Sequence, residues 1–445
     1  MARHFRLLAL SVSLTFWCAP LAHAQAPWTP DAAIAAALER NPAVAAARAD
    51  VDRASSGVTE SRGGWFPRLT VSESVQRGDQ PVFAFGALLA ARQFTAADFA
   101  VNRLNQPGAT SLFTSRASLG QVVFDGGRTS GMVAQARAAH DAAVAAADDA
   151  ALATMQAVTT VFGQLVALDA ADRALSSAID AATEDHTRAQ RRRDAGTVTD
   201  ADVLAAGVHL ADLQQRRLQL HADRASAAAQ FNRLVGQAVD TPVAVAAATT
   251  SIAVPTTLEP LFIEAEQARP DVRRAEAAAR QAGAGRRQAA SVRLPQVAAQ
   301  AAVEWNGVEF SDRSRSWSVG GEVRWSVSIS GADRARIAAA TSARVAADRM
   351  LDDTRAAARA EVLSAVRQLE AAHARVPVAR DAVAQAAERA RVVRNRYDAG
   401  LASMTDVLAA ASALLDAEAR RTAAEVAVMT AGAGLQRALG RQVWK

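Results

Sequence analysis

Two kinds of hydrophobic spacing take turns along this chain. The first has a period of two. Val297, Ala299, Ala301, Val303 and Trp305 alternate with Gln296, Gln300 and Glu304, and Trp317, Val319, Val323, Trp325, Val327 and Ile329 alternate with Ser318, Gly320, Glu322, Arg324, Ser326 and Ser328. Segments of about ten residues with one greasy face, one polar face and aromatic ends predict strands that stand in a membrane. Such strands are expected at about 65–78, 111–125, 293–307 and 316–330. Four of the six tryptophans beyond residue 24 (Trp65, Trp305, Trp317, Trp325) fall in these segments, as an interfacial girdle requires.

The second spacing is helical. Val203, Ala206, Leu210, Leu213, Leu220, Ala227, Phe231 and Leu234 follow a 3-4 pattern, and Val407, Ala410, Leu414, Ala417, Ala424, Val428, Leu435 and Ala438 repeat it in the same register. Each seam is preceded by a very long helical segment, about Arg128–Asp194 and Ala332–Asp398, on the order of 100 Å long at 1.5 Å per residue. Pro377 predicts a kink in the second; Arg173 stands at that place in the first.

Long segment and seam are joined by a turn that occurs twice. Arg192-Arg193-Asp194-Ala195-Gly196-Thr197-Val198-Thr199-Asp200-Ala201-Asp202-Val203-Leu204 returns 204 positions later as Arg396-Tyr397-Asp398-Ala399-Gly400-Leu401-Ala402-Ser403-Met404-Thr405-Asp406-Val407-Leu408. Gly196 and Gly400 suit the left-handed residue past a helix end. Thr199 and Ser403 suit N-caps, with Asp202 and Asp406 closing capping boxes. The repeat extends further. Pro42 matches Pro270 and Pro67 matches Pro295, both 228 positions apart, so the first copy carries about 24 extra residues between Pro67 and Gly126. The expected organisation is a first repeat over 25–236 with its hairpin at 128–236, a linker at 237–257, and a second repeat over 258–445 with its hairpin at 332–440.

Residues 1–24 read as a secretory signal: Arg3 and Arg6, an apolar run, then Ala22-His23-Ala24. Cys18, the only cysteine, lies inside it, so the exported chain is expected to have no disulfide. The apolar half of the composition is largely alanine and only 5% of residues are aromatic, which favours long, closely packed helices over a thick globular core. No run of about twenty apolar residues is seen after the signal, so no spanning helix is expected. The formal charge of +5 comes with interleaved acids, which argues against a nucleic-acid partner. His140, His186, His209, His221 and His373 lack metal-ligand spacing, and neither a phosphate loop nor a nucleophile elbow occurs. An enzyme and a cofactor are therefore not expected. Four strands per chain cannot close a barrel, so if they stand in a membrane several copies must close one together.

The signal, the two-fold repeat, the strand pairs before each long helix and the two Asp-Ala-Gly turns followed by Asp-Val-Leu together resemble the TolC family of outer-membrane channel and efflux proteins, over roughly Pro30 to Arg441. That resemblance implies a mainly helical chain with membrane strands that assembles as a homotrimer. A twelve-stranded barrel in outer-membrane lipid would continue as an α-helical barrel in the periplasm. It implies a passive exit duct of a tripartite efflux system, served by a periplasmic adaptor and, indirectly, an inner-membrane pump. The resemblance makes Asp202, Tyr397 and Asp406 gate candidates. It makes the turn residues Gly196, Thr197, Val198, Gly400, Leu401 and Ala402 adaptor-docking candidates. Ala402 stands where the family pattern has a basic gate residue and Ala409 where it has a second acidic one; Arg192, Arg193 and Arg396 are nearby cations. Pro81–Asn105 would be an extracellular loop whose Phe83, Phe85, Phe94 and Phe99 fold over the mouth. Two alternatives stay open: the outer channel of a type I protein-secretion system, and a soluble periplasmic coiled-coil scaffold with a small sandwich.

Overall fold

The computed structural model describes residues 27–246 and 253–441. The expected signal at 1–24 and the middle of the expected linker lie outside them. The element order is α1 (Pro30–Arg40), α2 (Pro42–Arg62), β1 (Arg68–Gly78), α3 (Pro81–Ala90), α4 (Val101–Asn105), β2 (Thr110–Phe124), α5 (Arg128–Asp194) and α6 (Asp200–Val235). The second half runs α7 (Glu259–Ala268), α8 (Pro270–Ser291), β3 (Gln296–Gly307), β4 (Ser314–Arg324), α9 (Ala332–Asp398) and α10 (Met404–Ala438). Prolines open α1, α2, α3 and α8 at the position where a missing N–H costs nothing.

The strands form one antiparallel sheet in the order β1-β2-β3-β4. Its register joins Leu69 to Leu119, Leu119 to Ala301 and Ala301 to Val319, so odd-numbered residues share one face. Leu69, Val71, Val75, Trp317, Val319 and Val323 stand on that face, each more than 60% exposed. The even face carries Arg116, which pairs with Glu304 at 3.0 Å, and Thr114, which donates to Asn306. β4 ends at Arg324, short of the expected 330, and β3 starts at Gln296, not at 293. Gln296 is the partner of Arg324. The next residue back is Pro295, which has no N–H to extend the ladder. Trp65 and Trp325 therefore flank the strands instead of lying in them: Trp65 closes a 3₁₀ turn, and the Trp325 indole donates to the Arg293 carbonyl at 3.2 Å.

The extra segment of the first copy folds over the far end of the sheet. Phe94 packs edge-to-face on Phe85 and Phe99, with centroids 4.7 and 5.0 Å away. Ser314 donates to the Ala91 carbonyl and Gln93 to Asp312, tying this segment to the β3–β4 turn.

Below the sheet, α5–α6 and α9–α10 form two long antiparallel hairpins. Their cores obey the repeat. Val158, Phe162, Leu165, Phe231 and Val235 are buried in one, and Val362, Val366, Leu369, Leu435 and Leu439 occupy the same places in the other. Asn41 donates to the Leu234 carbonyl, and Arg269, its repeat mate, donates to the Ala438 carbonyl. α8 lies between α5 and α9, clamped by Arg273–Asp148, Arg280–Asp141 and Arg355–Glu276. α9 runs through Pro377 as one continuous helix. One stretch of α5 is, against expectation, apolar and long enough to cross a bilayer. It supplies Leu152, Met155, Val158, Phe162 and Leu165 to the first core, so packing against α1 and α6 accounts for its composition.

Candidate functional site

Both hairpins end in the same backbone device. α5 closes with Thr197 N donating to the Arg192 carbonyl at 2.9 Å, and α9 with Leu401 N donating to the Arg396 carbonyl at 2.7 Å. Between donor and acceptor, Gly196 and Gly400 adopt φ of +73° and +77°. A Cβ at either glycine would meet nothing within 4 Å, so the backbone angle and not the space demands glycine. The return helices start with complete capping boxes. Asp202 accepts from Thr199 N at 3.3 Å, and Asp406 accepts from Ser403 N at 3.0 Å and from its hydroxyl at 2.7 Å. The Ser403 hydroxyl and backbone N–H hold the Asp406 carboxyl below the usual aspartate range.

The gate candidates therefore fall into two groups. Asp202 and Asp406 serve their own helix starts and make no hydrogen bond or ion pair across to the other hairpin among the described residues. Tyr397 is buried at 5% exposure among Ala189, Val203, Ala206, Met404 and Val407, so it packs where the two hairpins meet. Its hydroxyl has no hydrogen-bond partner among the described residues. Burial pushes the phenol above its ordinary value, the Arg192 cation opposes that, and the Asp202 and Asp185 charges add to it. Of the docking candidates, Gly196, Thr197, Gly400 and Leu401 are exposed, Leu401 at 69%; Val198 and Ala402 are half-buried.

What joins the hairpins is a row of polar contacts that the sequence reading had not placed. Arg394 of α9 pairs with Asp185 of α5 at 2.9 Å, and the Asp185 side chain is only 8% exposed. Arg188 pairs with Asp398 at 3.3 Å. Arg192 donates to the Tyr397 carbonyl at 3.0 Å and the Asp398 carbonyl at 3.3 Å, with its guanidinium 4.8 Å from the Tyr397 ring centroid. A cation at the carbonyl end of α9 is favourably placed in the helix dipole. Of the three nearby cations, only Arg192 reaches across. Arg193 pairs with Asp194 and Asp200 of its own turn, and Arg396 donates to Leu401 of its own turn. The spacing groups three of these residues without saying which neighbour they meet. Asp185, Arg188 and Arg192 stand at i, i+3 and i+7 and share one face of α5.

Comparison with known proteins gives the arrangement a family. Three solved structures share the fold over almost the whole chain. The outer membrane channel CmeC of Campylobacter jejuni matches with a TM-score of 0.81 at 15% identity, covering 94% of this chain and 87% of that one. The outer membrane protein VceC of Vibrio cholerae matches with a TM-score of 0.77 at 19% identity, covering 93% and 96%. The open state of the MtrE outer membrane channel of Neisseria gonorrhoeae matches with a TM-score of 0.75 at 18% identity, covering 93% and 89%. No curated protein matches by sequence. The family profile described as "Outer membrane efflux protein" matches residues 33–237 and 261–441, both repeats almost entirely. The chain thus belongs to the outer membrane efflux protein family.

Proposed function

We propose that three copies of this chain form a passive exit duct that crosses the outer membrane and reaches into the periplasm, receiving its cargo through a periplasmic adaptor from an inner-membrane pump. The observation that carries this reading is the four-stranded sheet, whose outward face is greasy and exposed and whose outer strands β1 and β4 have no partner on one side. Unpaired edges are not tolerated in lipid, and three such sheets would close as twelve strands. A soluble scaffold would have to leave Trp317, Val319 and Val323 in water.

The two tips would then lie at the periplasmic mouth. The row Asp185–Arg394, Arg188–Asp398 and Arg192 on the carbonyls of Tyr397 and Asp398 would hold one hairpin against the other and keep that mouth narrow. The exposed Gly196-Thr197 and Gly400-Leu401 corners are small enough for another helical hairpin to pack end-on. The test is to extract the protein from outer membranes, weigh it in its native state, and record single-channel currents in planar bilayers. A mass of three chains with discrete conductance steps is expected. A water-soluble monomer that makes no channels overturns the reading.

A further inference from the structure

The two ends of the strands differ in how their charges are used. At the end capped by α3 and the β3–β4 turn, charges are mostly spent on the protein. Arg313 pairs with Glu73, Arg103 pairs with Asp98, Arg92 donates to the Arg315 carbonyl, and Asp312 accepts from Gln93. At the end facing the long helices, Arg62, Arg68, Arg293, Arg334 and Arg336 are all exposed and have neither an ion pair nor a side-chain hydrogen bond among the described residues. Of the carboxylates there, Glu322 pairs with Arg324, while Asp125 and Asp333 accept from the neutral donors Thr129 and Ser328 N and keep their charge. Glu60, Asp125 and Asp333 stand against six cations, the five above and Arg128, which is exposed and likewise has no ion pair among the described residues. Beside these arginines stand Trp65, Phe66, Trp325 and Val327, each between 47% and 68% exposed.

Rings at the depth of the glycerol backbone with guanidinium groups just beyond them match a bilayer interface whose headgroups are anionic. We infer that this collar binds anionic phospholipid headgroups in the membrane leaflet nearest the long helices. The inference rests on the proposed placement of the strands in a bilayer. The aromatic rings fix the depth of the chain and the arginines choose the headgroup. The opposite end, with its charges neutralised internally, makes no such choice.

The test uses the purified full-length protein in vesicles, with its tryptophan fluorescence quenched by brominated lipid. Brominated phosphatidylglycerol is compared with brominated phosphatidylcholine. A preference of about fivefold for phosphatidylglycerol is expected, the value of one arginine near an anionic surface, falling to parity in 1 M salt as charges are screened. Changing Arg62, Arg68, Arg293, Arg334 and Arg336 together to Gln should abolish the preference, and changing the same five to Lys should keep it. Changing Arg77 and Arg103 at the other end to Gln should leave it intact. If the Gln set does not assemble, Arg334→Gln with Arg336→Gln, on the exposed first turns of α9, should still reduce the preference, and the salt series on the unaltered protein needs no variant. Equal quenching by the two lipids overturns the inference and leaves the duct standing; it is the result expected if carboxylates of a neighbouring copy neutralise the collar. Quenching by neither lipid overturns both.

Discussion

The two hairpin tips share a backbone and differ in what they do with it. Their glycines have nearly the same φ, their capping boxes use the same positions, and their helix ends close with the same hydrogen bonds. Yet Tyr397 of the second tip is buried in the apolar cluster, while its repeat mate Arg193 is exposed and spends its charge on Asp194 and Asp200. Two of the three cations that cross, Arg188 and Arg192, come from the first hairpin, and Arg394 comes from the second. Asp185, Arg188 and Arg192 map by the 204-residue repeat onto Arg389, Val392 and Arg396, which carry the wrong sign, no charge, and a contact to their own turn. The face of α5 that makes these contacts is therefore not repeated on α9. A duplicated chain can offer two nearly equivalent seams, and the residues that tie the one within a single molecule are not repeated for the other.

The largest effect should come from breaking that seam. Changing Arg188, Arg192 and Arg394 to Ala removes an exposed pair, a helix-end contact and the partner of a buried carboxylate. After allowance for the half-exposed arginines this is worth about 2 kcal/mol. A closed-to-open ratio should shift on the order of thirtyfold for that energy. It would be read as a rise in open time in planar bilayers and in drug sensitivity of cells. The same treatment of Arg389, Val392 and Arg396 should do much less. Equal effects would mean that the two seams are tied alike and the contrast is wrong.

Next in size are the glycines. Gly400→Val places a β-branched side chain at φ +77°, which costs about 1–2 kcal/mol at that turn. It also puts bulk on an exposed corner with nothing nearby to clash. Trimers should form, since the turn is far from the sheet, but export should fail if this corner receives the adaptor. Gly196→Val tests whether the first tip matters as much; export that survives both changes would remove the tips from docking.

Tyr397→Phe should be smaller still and of the opposite sign to what a gating hydroxyl would give. The hydroxyl is buried without a partner among the described residues, so its loss is neutral or stabilises by up to about 1 kcal/mol. Thermal unfolding would show an unchanged or raised midpoint, with conductance unaltered. A lowered midpoint and a leaky channel would show that the hydroxyl bonds to something, such as Asp202, in the assembled protein.

Much of this architecture was legible in the chain. Alternation marked the strands, the 3-4 seams marked the return helices, and the Gly and Thr/Ser-x-x-Asp spacing marked both turns, because each signal is local. Strand ends were less legible. Trp325 to Ile329 continue the alternation of β4 in sequence, but a ladder needs a partner, and Pro295 removes it. The seam contacts were the least legible. Ala402 drew attention as a missing cation in the turn, whereas the cations that join the hairpins sit in α5 and α9, among other arginines of similar spacing. Which arginine faces the other hairpin depends on how two helices roll against each other, and no local pattern records that.

The smallest effect separates the two capping boxes. Asp406 accepts a hydroxyl at 2.7 Å and a backbone N–H at 3.0 Å, while the matching distances for Asp202 are 3.4 and 3.3 Å. The Asp406 carboxyl is held below its ordinary value by those bonds. A depressed pKa means that folding favours the ionised form. Its contribution is present above the unfolded aspartate value near 3.8 and is lost as pH falls through the lower folded value. Asp406→Asn should lower the unfolding midpoint slightly at pH 7, and the gap to the unaltered protein should close on acidification below pH 4. Asp202→Asn, acting on the looser box, should open a smaller gap at pH 7. If instead the Asp202 change proves the more costly, Asp202 does more than cap its own helix and reaches across the seam after all.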